Sequence, residues 1–507
     1  MLAIRLNFTI LQFLLISPTL SKCGNILALF TTTQRSHHLV YGSILEALLE
    51  RQHQVTVIST LPLTDTIERI DATNPNLHYI QIKAQNIRKN VINIENGLQK
   101  LQSMLQNIDR AGSLLQDIVL RQFLRAERDT KFDLLLLGYS FNDYLLGVAA
   151  HFNCPVALIW PTQPISFINS LMGNPEERWY VTQPYDRFQY KGLNALAFGV
   201  FEKFIEIMAV ERMRNIYDSN FPTPHYPSFD EMRKNVSIVL CNHHSISEGP
   251  IAPYVPGIIE VGGIQSSAQS EVLPESLQSI FEDTQRQIVY LSLGSRVKWS
   301  ALPPKYLQIF INTFQRLVKS WPITIIWTYD GVCSDIEAAH IACAAWWPQN
   351  TLLAQPQIKL FITHGGKGSL TEALQHGVPM LGLPFFGDQR ANVAKMRHQG
   401  FGLQLDFLTL NETQLFDAIH EVIHQNLSFA TNVKLFSQRY RDRPLTARDT
   451  AVYWLEYVMR HKGAAHLRSP LLDLNFLQYF LIDVYFALLC GCAVFIIIFN
   501  WLDRWLT

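Results

Sequence analysis

The sequence of 507 residues has little charge and no excess of either sign. Lysine and arginine together number 42, aspartate and glutamate also number 42, and charged residues make up only 17% of the chain. A protein that binds nucleic acid normally carries a basic excess on at least one domain, so no nucleic-acid partner is predicted. The apolar share of 48% excludes an intrinsically disordered chain, and the length predicts two or more domains.

Cysteine is also scarce, and its seven copies are too few for a disulfide framework in a chain of this length. Cys490 and Cys492 lie in an apolar run near the C-terminus and are interpreted as thiols that face a membrane. The other cysteines lack the paired spacing that metal sites use. They are Cys23, Cys154, Cys241, Cys333 and Cys343.

Long hydrophobic runs occur only at the two ends. Residues 1–23 combine one positive charge, a short apolar core and small residues, which predicts a secretory signal peptide; a buried first element is the alternative. Val484–Phe499 carry no charge, and residues 483–502 reach the length of a helix that crosses a bilayer of about 30 Å; a buried C-terminal helix is the alternative. The signal peptide then predicts a lumenal chain with residues 503–507 in the cytosol.

Between the ends, short apolar strands alternate with helical periodicity in two halves. The first half opens with the predicted strand Asn25–Phe30, and the second opens with Gln287–Leu293 and ends with Gly402–Asp406. This alternation predicts two doubly wound parallel sheets, with ligands beyond the carboxyl ends of the strands. The predicted domains are 24–260 and 285–440, joined by a Pro-, Gly- and Ser-rich linker at 261–284 and followed by a pre-membrane segment at 441–482.

A glycine-rich turn stands out in the second half. The predicted strand Lys359–Thr363 leads into His364, three glycines within four residues and the start of a helix. Glycines let the backbone approach a ligand, and a helix start offers unpaired N–H groups and positive potential, so the turn suits a phosphate. Its spacing matches neither of the common nucleotide-binding glycine motifs, and a tight turn with a packing glycine is the alternative.

A longer pattern surrounds this turn. It runs as W-W-P-Q-N-T-L-L-A-Q-P from Trp346, F-I-T-H-G-G-x-G-S-x-x-E-A from Phe361, and G-V-P-M-x-G-x-P-x-x-x-D-Q-x-x-N from Gly377. Together with Ser36-His37 and Asp442-Arg443-Pro444, this pattern closely resembles the UDP-glycosyltransferases, most of all their invertebrate members. The resemblance covers nearly the whole mature chain. It implies an α/β GT-B fold with two Rossmann-like domains facing a cleft, a C-terminal transmembrane helix, and residence in the endoplasmic reticulum or another endomembrane.

The resemblance implies that the second half binds the uridine of a UDP-sugar. Trp346 would stack on the uracil ring, although core packing is the alternative for an aromatic residue beside a strand. Gln349 would hydrogen-bond the uridine. Glu372 would accept hydrogen bonds from the ribose hydroxyls, unless it is a solvated charge on a helix.

The diphosphate and the sugar are expected to lie at the same strand ends. By the resemblance, Ser295 and His364 would bind phosphate oxygens. Asp388 and Gln389 would bind the hydroxyls of the sugar, because a carboxylate and an amide together satisfy several O–H groups; Asp388 alternatively caps the next helix. The glycine-rich turn would add backbone contacts through Gly366, Gly368 and Ser369.

The catalytic residues are expected in the first half. His37 lies at the start of the first predicted helix, where the helix dipole favours the neutral imidazole of a general base; an ordinary surface histidine is the alternative. The resemblance implies that His37 takes the proton of the acceptor hydroxyl while that oxygen displaces UDP with inversion. Asp143 is the candidate for the carboxylate that orients His37. The loop 138–140, however, lacks the acidic residue that some relatives carry there.

Neither a cofactor nor a metal is implied, since the UDP-sugar is itself a substrate and the chain has no Asp-x-Asp motif. His420–His424 matches the zinc-protease pattern H-E-x-x-H, but no third ligand follows at a suitable spacing. It is interpreted as a surface helix opened by a capping box from Thr409 to Glu412.

The expected partners are a UDP-sugar, a small lipophilic acceptor and the membrane. UDP-glucose is the expected sugar donor, with UDP-glucuronate and UDP-galactose as alternatives, and a catalytically silent binding relative and a homo-oligomer are left open.

Overall fold

The computed structural model describes residues 23–63, 73–83, 97–176, 181, 193–248, 251–266, 273–295, 297–336, 339–479 and 481–506. The predicted signal peptide therefore lies outside the described residues, apart from Cys23. Part of the predicted linker and the last residue of the predicted cytosolic tail also lie outside them.

The first half forms a sheet of seven parallel strands in the order β3-β2-β1-β4-β5-β6-β7. The strands are nearly continuous apolar runs, as expected where helices cover both faces of a sheet. They span β1 (Asn25–Phe30), β2 (Gln54–Ser59), β3 (Leu77–Gln81), β4 (Leu134–Gly138), β5 (Val156–Trp160), β6 (Val236–Cys241) and β7 (Ile258–Glu260). The helices are α1 (Arg35–Glu50), α2 (Gly97–Gly112), α3 (Ile118–Ala126), α4 (Leu146–Phe152), α5 (Ser166–Met172), α6 (Leu193–Asn220), α7 (Phe229–Lys234) and α8 (Ser245–Glu248).

The second half forms a sheet of six parallel strands in the order β10-β9-β8-β11-β12-β13. The strands span β8 (Gln287–Ser292), β9 (Ile323–Thr328), β10 (Ile341–Ala344), β11 (Ile358–Thr363), β12 (Met380–Gly382) and β13 (Gly402–Gln404). The helices are α9 (Glu275–Glu282), α10 (Pro304–Ser320), α11 (Gln349–Leu353), α12 (Lys367–His376), α13 (Gln389–His398), α14 (Glu412–His420) and α15 (Ser428–Arg441). A disulfide joins Cys333 to Cys343, on either side of the turn before β10.

Both sheets have the doubly wound order, so the prediction of two Rossmann-like domains is confirmed. The strand order reverses between β1 and β4 in the first sheet and between β8 and β11 in the second. Ligands of such sheets bind beyond the carboxyl ends of the strands at this reversal. The loops after these four strands are therefore where a site is expected.

The chain returns to the first half after the second is complete. Helix α16 (Ala447–Arg460) packs in one apolar core with β1 and α1. At the surface of this contact, Arg448 donates to Glu50 at 2.8 Å and lies 3.7 Å from Glu46. The C-terminal segment thus fastens the two lobes to each other.

After α17 (Phe476–Tyr479), the described chain ends in α18 (Ile482–Leu506), a helix of 25 residues. Its most apolar window has a mean hydropathy of 2.5, and none of that window is buried. By length and composition the helix can cross a membrane, as predicted for residues 483–502.

The H-E-x-x-H segment is structural, although the predicted capping box is wrong. Asn411, not Thr409, is the N-cap of α14, because Thr409 belongs to a preceding 3₁₀ turn and the Asn411 side chain accepts from Gln414 N at 2.9 Å. The rings of His420 and His424 lie 4.7 and 5.3 Å from Trp321. Among the residues that the structure describes, no three His, Cys, Asp or Glu residues are grouped for a metal.

Candidate active site

The two lobes face each other across a cleft of about 390 Å³. The loops after β1, β4, β8 and β11 all contribute to its lining. Every residue predicted for the site lines this cleft, apart from Asp143. These lining residues are His37, Ser295, Trp346, Gln349, His364, Gly366, Gly368, Ser369, Glu372, Asp388 and Gln389.

Two glycines leave space for the imidazole of His364, which follows the end of β11. A Cβ atom on Gly294 would lie 2.5 Å from His364 Cε1, and one on Gly366 would lie 2.4 Å from His364 Nε2. Gly294 also has a φ of +74°, a left-handed conformation that other residues rarely adopt. Both positions therefore require glycine, and the ring is held directly before α12. Residues 366–369 at the start of this helix line the cleft, and the first N–H groups of a helix have no partner within it.

The neighbouring tryptophans 346 and 347 have opposite environments. Trp347 is 6% exposed and donates from Nε1 to Trp327 O at 3.2 Å, so it belongs to the core. Trp346 is 43% exposed and lines the cleft. The guanidinium of Arg35, from the other lobe, lies 4.1 Å from the centroid of the Trp346 ring. The core-packing alternative thus applies to Trp347, while Trp346 presents its indole to the cleft.

Three of the predicted residues form one hydrogen-bonded group. Gln349 Nε2 donates to Ser369 Oγ at 3.1 Å and to Glu372 Oε2 at 2.7 Å. Glu372 is buried at 7% exposure, which excludes a solvated helix charge. The start of α11 is thereby tied to α12, and a carboxylate is held in the lining of the cleft.

The residues predicted for the sugar are held by the loop that carries them. Gln389 Oε1 accepts from Phe385 N at 2.8 Å and from Phe386 N at 3.0 Å, so only its amide nitrogen is left for a ligand. Asp388 Oδ2 accepts from Asn392 Nδ2 at 2.7 Å. Within the described chain, the Asp388 carboxylate makes no capping bond to α13. Asp388 is nevertheless the N-cap residue of α13, so its position at the helix start agrees with the capping alternative, which does not exclude a contact with the sugar.

The structure distinguishes the two adjacent histidines of the first lobe. His38 is fully buried, and its Nε2 lies 2.7 Å from Thr32 O, which fixes the loop after β1. His37 is partly exposed in the first turn of α1 and lines the cleft. Its ring packs edge-on against Tyr41 at a centroid distance of 6.5 Å. His37 is thus the imidazole that a ligand can reach.

Asp143, the predicted partner of His37, is buried in an ion pair of the first lobe. It is 1% exposed and is not among the residues that line the cleft. Its Oδ2 accepts from Arg233 Nε at 2.7 Å, so its charge is neutralised inside the first lobe. The ring of Tyr41 fills the space over Gly138, because a Cβ atom there would lie 2.8 Å from Tyr41 Cζ. The geometry therefore favours a structural role for Asp143.

Two cations in the cleft were missed by the sequence reasoning. Arg35 lies directly before Ser36-His37, and Lys367 stands at the variable position of the glycine-rich turn. A cation inside a glycine-rich turn at a helix start was the available signal. Burial lowers the pKa values of Lys367 and of nearby Lys395 below the ordinary value of a lysine. An anion bound at this end of the cleft would favour the charged form of both.

Comparison with known proteins agrees with this geometry. The family model described as "UDP-glucoronosyl and UDP-glucosyl transferase" matches residues 25–504. UDP-glucosyltransferase 2 of Dactylopius coccus is 30% identical over 96% of this chain and 95% of its own. UDP-glucuronosyltransferase 2B15 of Homo sapiens is 27% identical over 94% of this chain and 92% of its own.

Solved structures show the fold. A UDP-glucosyltransferase from Polygonum tinctorium, in a complex with 3,4-dichloroaniline, is 14% identical, has a TM-score of 0.59, and covers 86% of this chain and 99% of its own. The glycosyltransferase VinC, in complex with dTDP, is 16% identical and has a TM-score of 0.59. The match covers 86% of this chain and 100% of the VinC chain. The predicted GT-B fold is confirmed.

Proposed function

Because the chain belongs to the UDP-glucoronosyl and UDP-glucosyl transferase family, we propose that it moves glucose from UDP-glucose to a hydroxyl of a small lipophilic acceptor, with inversion. The observation that supports this proposal is the single cleft in which His37 of one lobe faces Trp346, His364 and the start of α12 in the other. A base on one side and a diphosphate site on the other suit a displacement at the carbon between them.

His37 acts as the general base of the transfer. The dipole of α1 favours its neutral form, which can accept a proton. The acceptor hydroxyl gives its proton to this imidazole while its oxygen forms a bond to the anomeric carbon. The bond from that carbon to the UDP oxygen breaks on the opposite face, so an α-linked donor yields a β-linked product. The predicted role of Asp143 in orienting His37 is not carried into this proposal, since Arg233 engages its carboxylate.

The departing UDP is stabilised by the second lobe without a metal or cofactor. The first N–H groups of α12, the His364 imidazole and the Ser295 hydroxyl supply hydrogen bonds to the diphosphate as negative charge develops on it. Trp346 stacks on the uracil, and the group of Gln349, Ser369 and Glu372 binds the uridine. Asp388 and the amide nitrogen of Gln389 bind the sugar hydroxyls.

The choice of sugar rests on relatives rather than on a contact. A protein 30% identical over 96% of this chain is named UDP-glucosyltransferase 2. Mammalian relatives that match 92–94% of the chain at 27–29% identity, and one that matches 60% of it at 33%, are named UDP-glucuronosyltransferases. Glucose is therefore the proposed sugar. The first lobe lines the cleft with Leu39, Phe141, Trp160 and Pro161, which suits a lipophilic acceptor.

The proposed location is the endoplasmic reticulum or another endomembrane, with both lobes in the lumen and α18 as a single membrane anchor. The apolar composition of α18 and the N-terminal signal predicted for residues 1–23 support this topology. Protease added to sealed microsomes should leave both lobes intact and digest them once detergent opens the vesicles. Digestion of the two lobes in sealed vesicles would show that they face the cytosol instead.

The decisive test is transfer by the full-length chain in detergent. It is incubated with radiolabelled UDP-glucose, UDP-glucuronate or UDP-galactose and a panel of phenols, steroids and pigments, with His37→Ala as the control. Label should pass from UDP-glucose to an acceptor, and the anomeric coupling constant of the product should show the β configuration. UDP binding without transfer or hydrolysis for any pair would instead identify a catalytically silent relative.

A further inference from the structure

Lys367 is a cation within the glycine-rich turn. It is the first residue of α12 and lines the cleft together with His364 and Ser369. Its side chain is only 15% exposed. A buried ammonium has a high desolvation cost and requires a negatively charged partner.

Its partner comes from the other lobe. Lys367 Nζ forms an ion pair with Glu248 Oε2 at the end of α8, and the Glu248 side chain is 6% exposed. Tyr440 donates its hydroxyl to Glu248 Oε1 at 3.2 Å. His243 Nδ1 lies 3.3 Å from Oε2, but burial lowers the pKa of His243 well below its ordinary value, so this ring is neutral. Lys367 is therefore the cation that balances Glu248.

The surroundings of Lys367 are rich in positive charge. Lys395 and Arg443 add to burial in lowering the pKa of Lys367, and Asp388 only partly offsets them. Two negative charges on a diphosphate at the start of α12 would remove this imbalance. Lys367 thus pairs with a carboxylate of the other lobe and lines the cleft in which the proposed function puts two phosphates.

We propose that Lys367 is a ligand of the sugar donor's diphosphate, and that Glu248 holds its ammonium across the lobes until the nucleotide binds. This inference rests on the proposed function. Glu248 and the diphosphate then compete for one cation, so nucleotide binding weakens a contact between the lobes. The competition affects ligands that carry phosphate and leaves the nucleoside alone unaffected.

The test compares UDP with uridine by calorimetry on the full-length chain in detergent. Lys367→Met should weaken UDP binding about tenfold or more, because a charge-assisted hydrogen bond is lost, and should leave uridine binding within about twofold. Lys367→Arg keeps the charge and should restore most of the UDP affinity. Glu248→Gln removes the competitor and should strengthen UDP binding a few-fold without changing the binding of uridine.

A second pair of variants guards against misfolding, since Lys367→Met leaves Glu248 buried without its cation. The double variant Lys367→Met/Glu248→Gln contains no unpaired charge and is compared with Glu248→Gln alone. The double variant should bind UDP about tenfold or more weakly than Glu248→Gln, with equal uridine affinity. A ratio of UDP to uridine affinity that is equal in these two variants would overturn the proposal and leave Lys367 as a strut between the lobes.

The outcomes separate this inference from the proposed function. If the wild-type chain binds neither uridine nor UDP, the proposed function fails. If the wild type binds both ligands and the two variants that carry Lys367→Met keep its preference for UDP, only the role of Lys367 fails. A weakening of UDP binding by Glu248→Gln, in place of the expected strengthening, would contradict the competition.

Discussion

The two lobes build their sides of the cleft in different ways. The second lobe presents polar groups that are already bonded to one another, such as Gln349 with Glu372 and Asp388 with Asn392. The first lobe lines the cleft with polar residues of its first helix, among them Arg35 and His37, and with the apolar side chains of Leu39, Phe141 and Trp160. A preorganised polar surface suits one constant ligand, whereas apolar walls accept ligands of varying shape. The difference fits a fixed UDP-sugar opposite a variable lipophilic acceptor.

The largest expected effect is a loss of kcat without a loss of UDP binding. It would show that the first lobe carries out the chemistry and the second lobe binds the nucleotide. Replacing His37 by Ala should lower kcat by about 100-fold or more, the usual contribution of a general base. UDP binding, measured by calorimetry, should remain within about twofold. The matched control is His38→Gln, which removes a buried ring bonded to Thr32 O and should lower the melting temperature while keeping kcat. Undiminished turnover by the His37 variant would remove it from the mechanism.

Breaking the buried ion pair of the first lobe tests whether Asp143 is structural. Asp143→Ala should destabilise the protein by about 3–5 kcal/mol, because Arg233 is left with an unpaired buried charge. Unfolding in urea measures this loss.

The matched control replaces both partners by leucine, which removes both charges at once. The double variant should recover most of the stability and retain kcat, since Asp143 lies outside the cleft lining. A folded double variant as inactive as His37→Ala would instead show that Asp143 serves His37.

Adjacent tryptophans of the second lobe offer a sharper comparison of binding with packing. Trp346→Ala should weaken the binding of both uridine and UDP by about 1–3 kcal/mol, the usual contribution of a base stacked on an aromatic ring. Trp347→Phe should lower stability by about 1 kcal/mol through loss of the bond to Trp327 O and leave nucleotide binding unchanged. Equal nucleotide affinity in wild type and Trp346→Ala would exclude stacking at this position.

The smallest expected effect concerns the pH dependence of stability in the second lobe. Burial lowers the pKa of His376 to about 4, and its Nε2 lies 2.7 Å from Asn350 Oδ1. An unfolded histidine binds its proton near pH 6.5, so the unfolded state takes up more protons between about pH 6.5 and 4, and stability falls as the pH is lowered through this window. His376→Gln should lower the number of protons taken up on unfolding by at most one. The slope of the free energy of unfolding against pH, measured by urea unfolding at several pH values, becomes shallower accordingly. An unchanged slope would mean that His376 does not contribute.

Much of the second lobe could be predicted because its site is nearly continuous in sequence. Strand β11, the glycine-rich turn and α12 follow one another directly, and apolar runs and glycines report on local backbone conformation. The ion pair of Asp143 could not be predicted because its partner, Arg233, lies 90 residues away in the chain. The ion pair of Lys367 could not be predicted for the same reason, since its partner Glu248 belongs to the other lobe.

The sequence by itself determined the two parallel sheets, the alternation of their strands and helices and the apolar C-terminal helix, and its resemblance to a family implied the segments that line the cleft. Only the tertiary structure decided which of two adjacent side chains is exposed and which is buried, as with His37 and His38 or Trp346 and Trp347. It also decided which charge neutralises which. The reason is physical: periodicity and turn residues act over a few neighbouring positions, whereas burial and ion pairing depend on segments that only the packed sheets and lobes bring together.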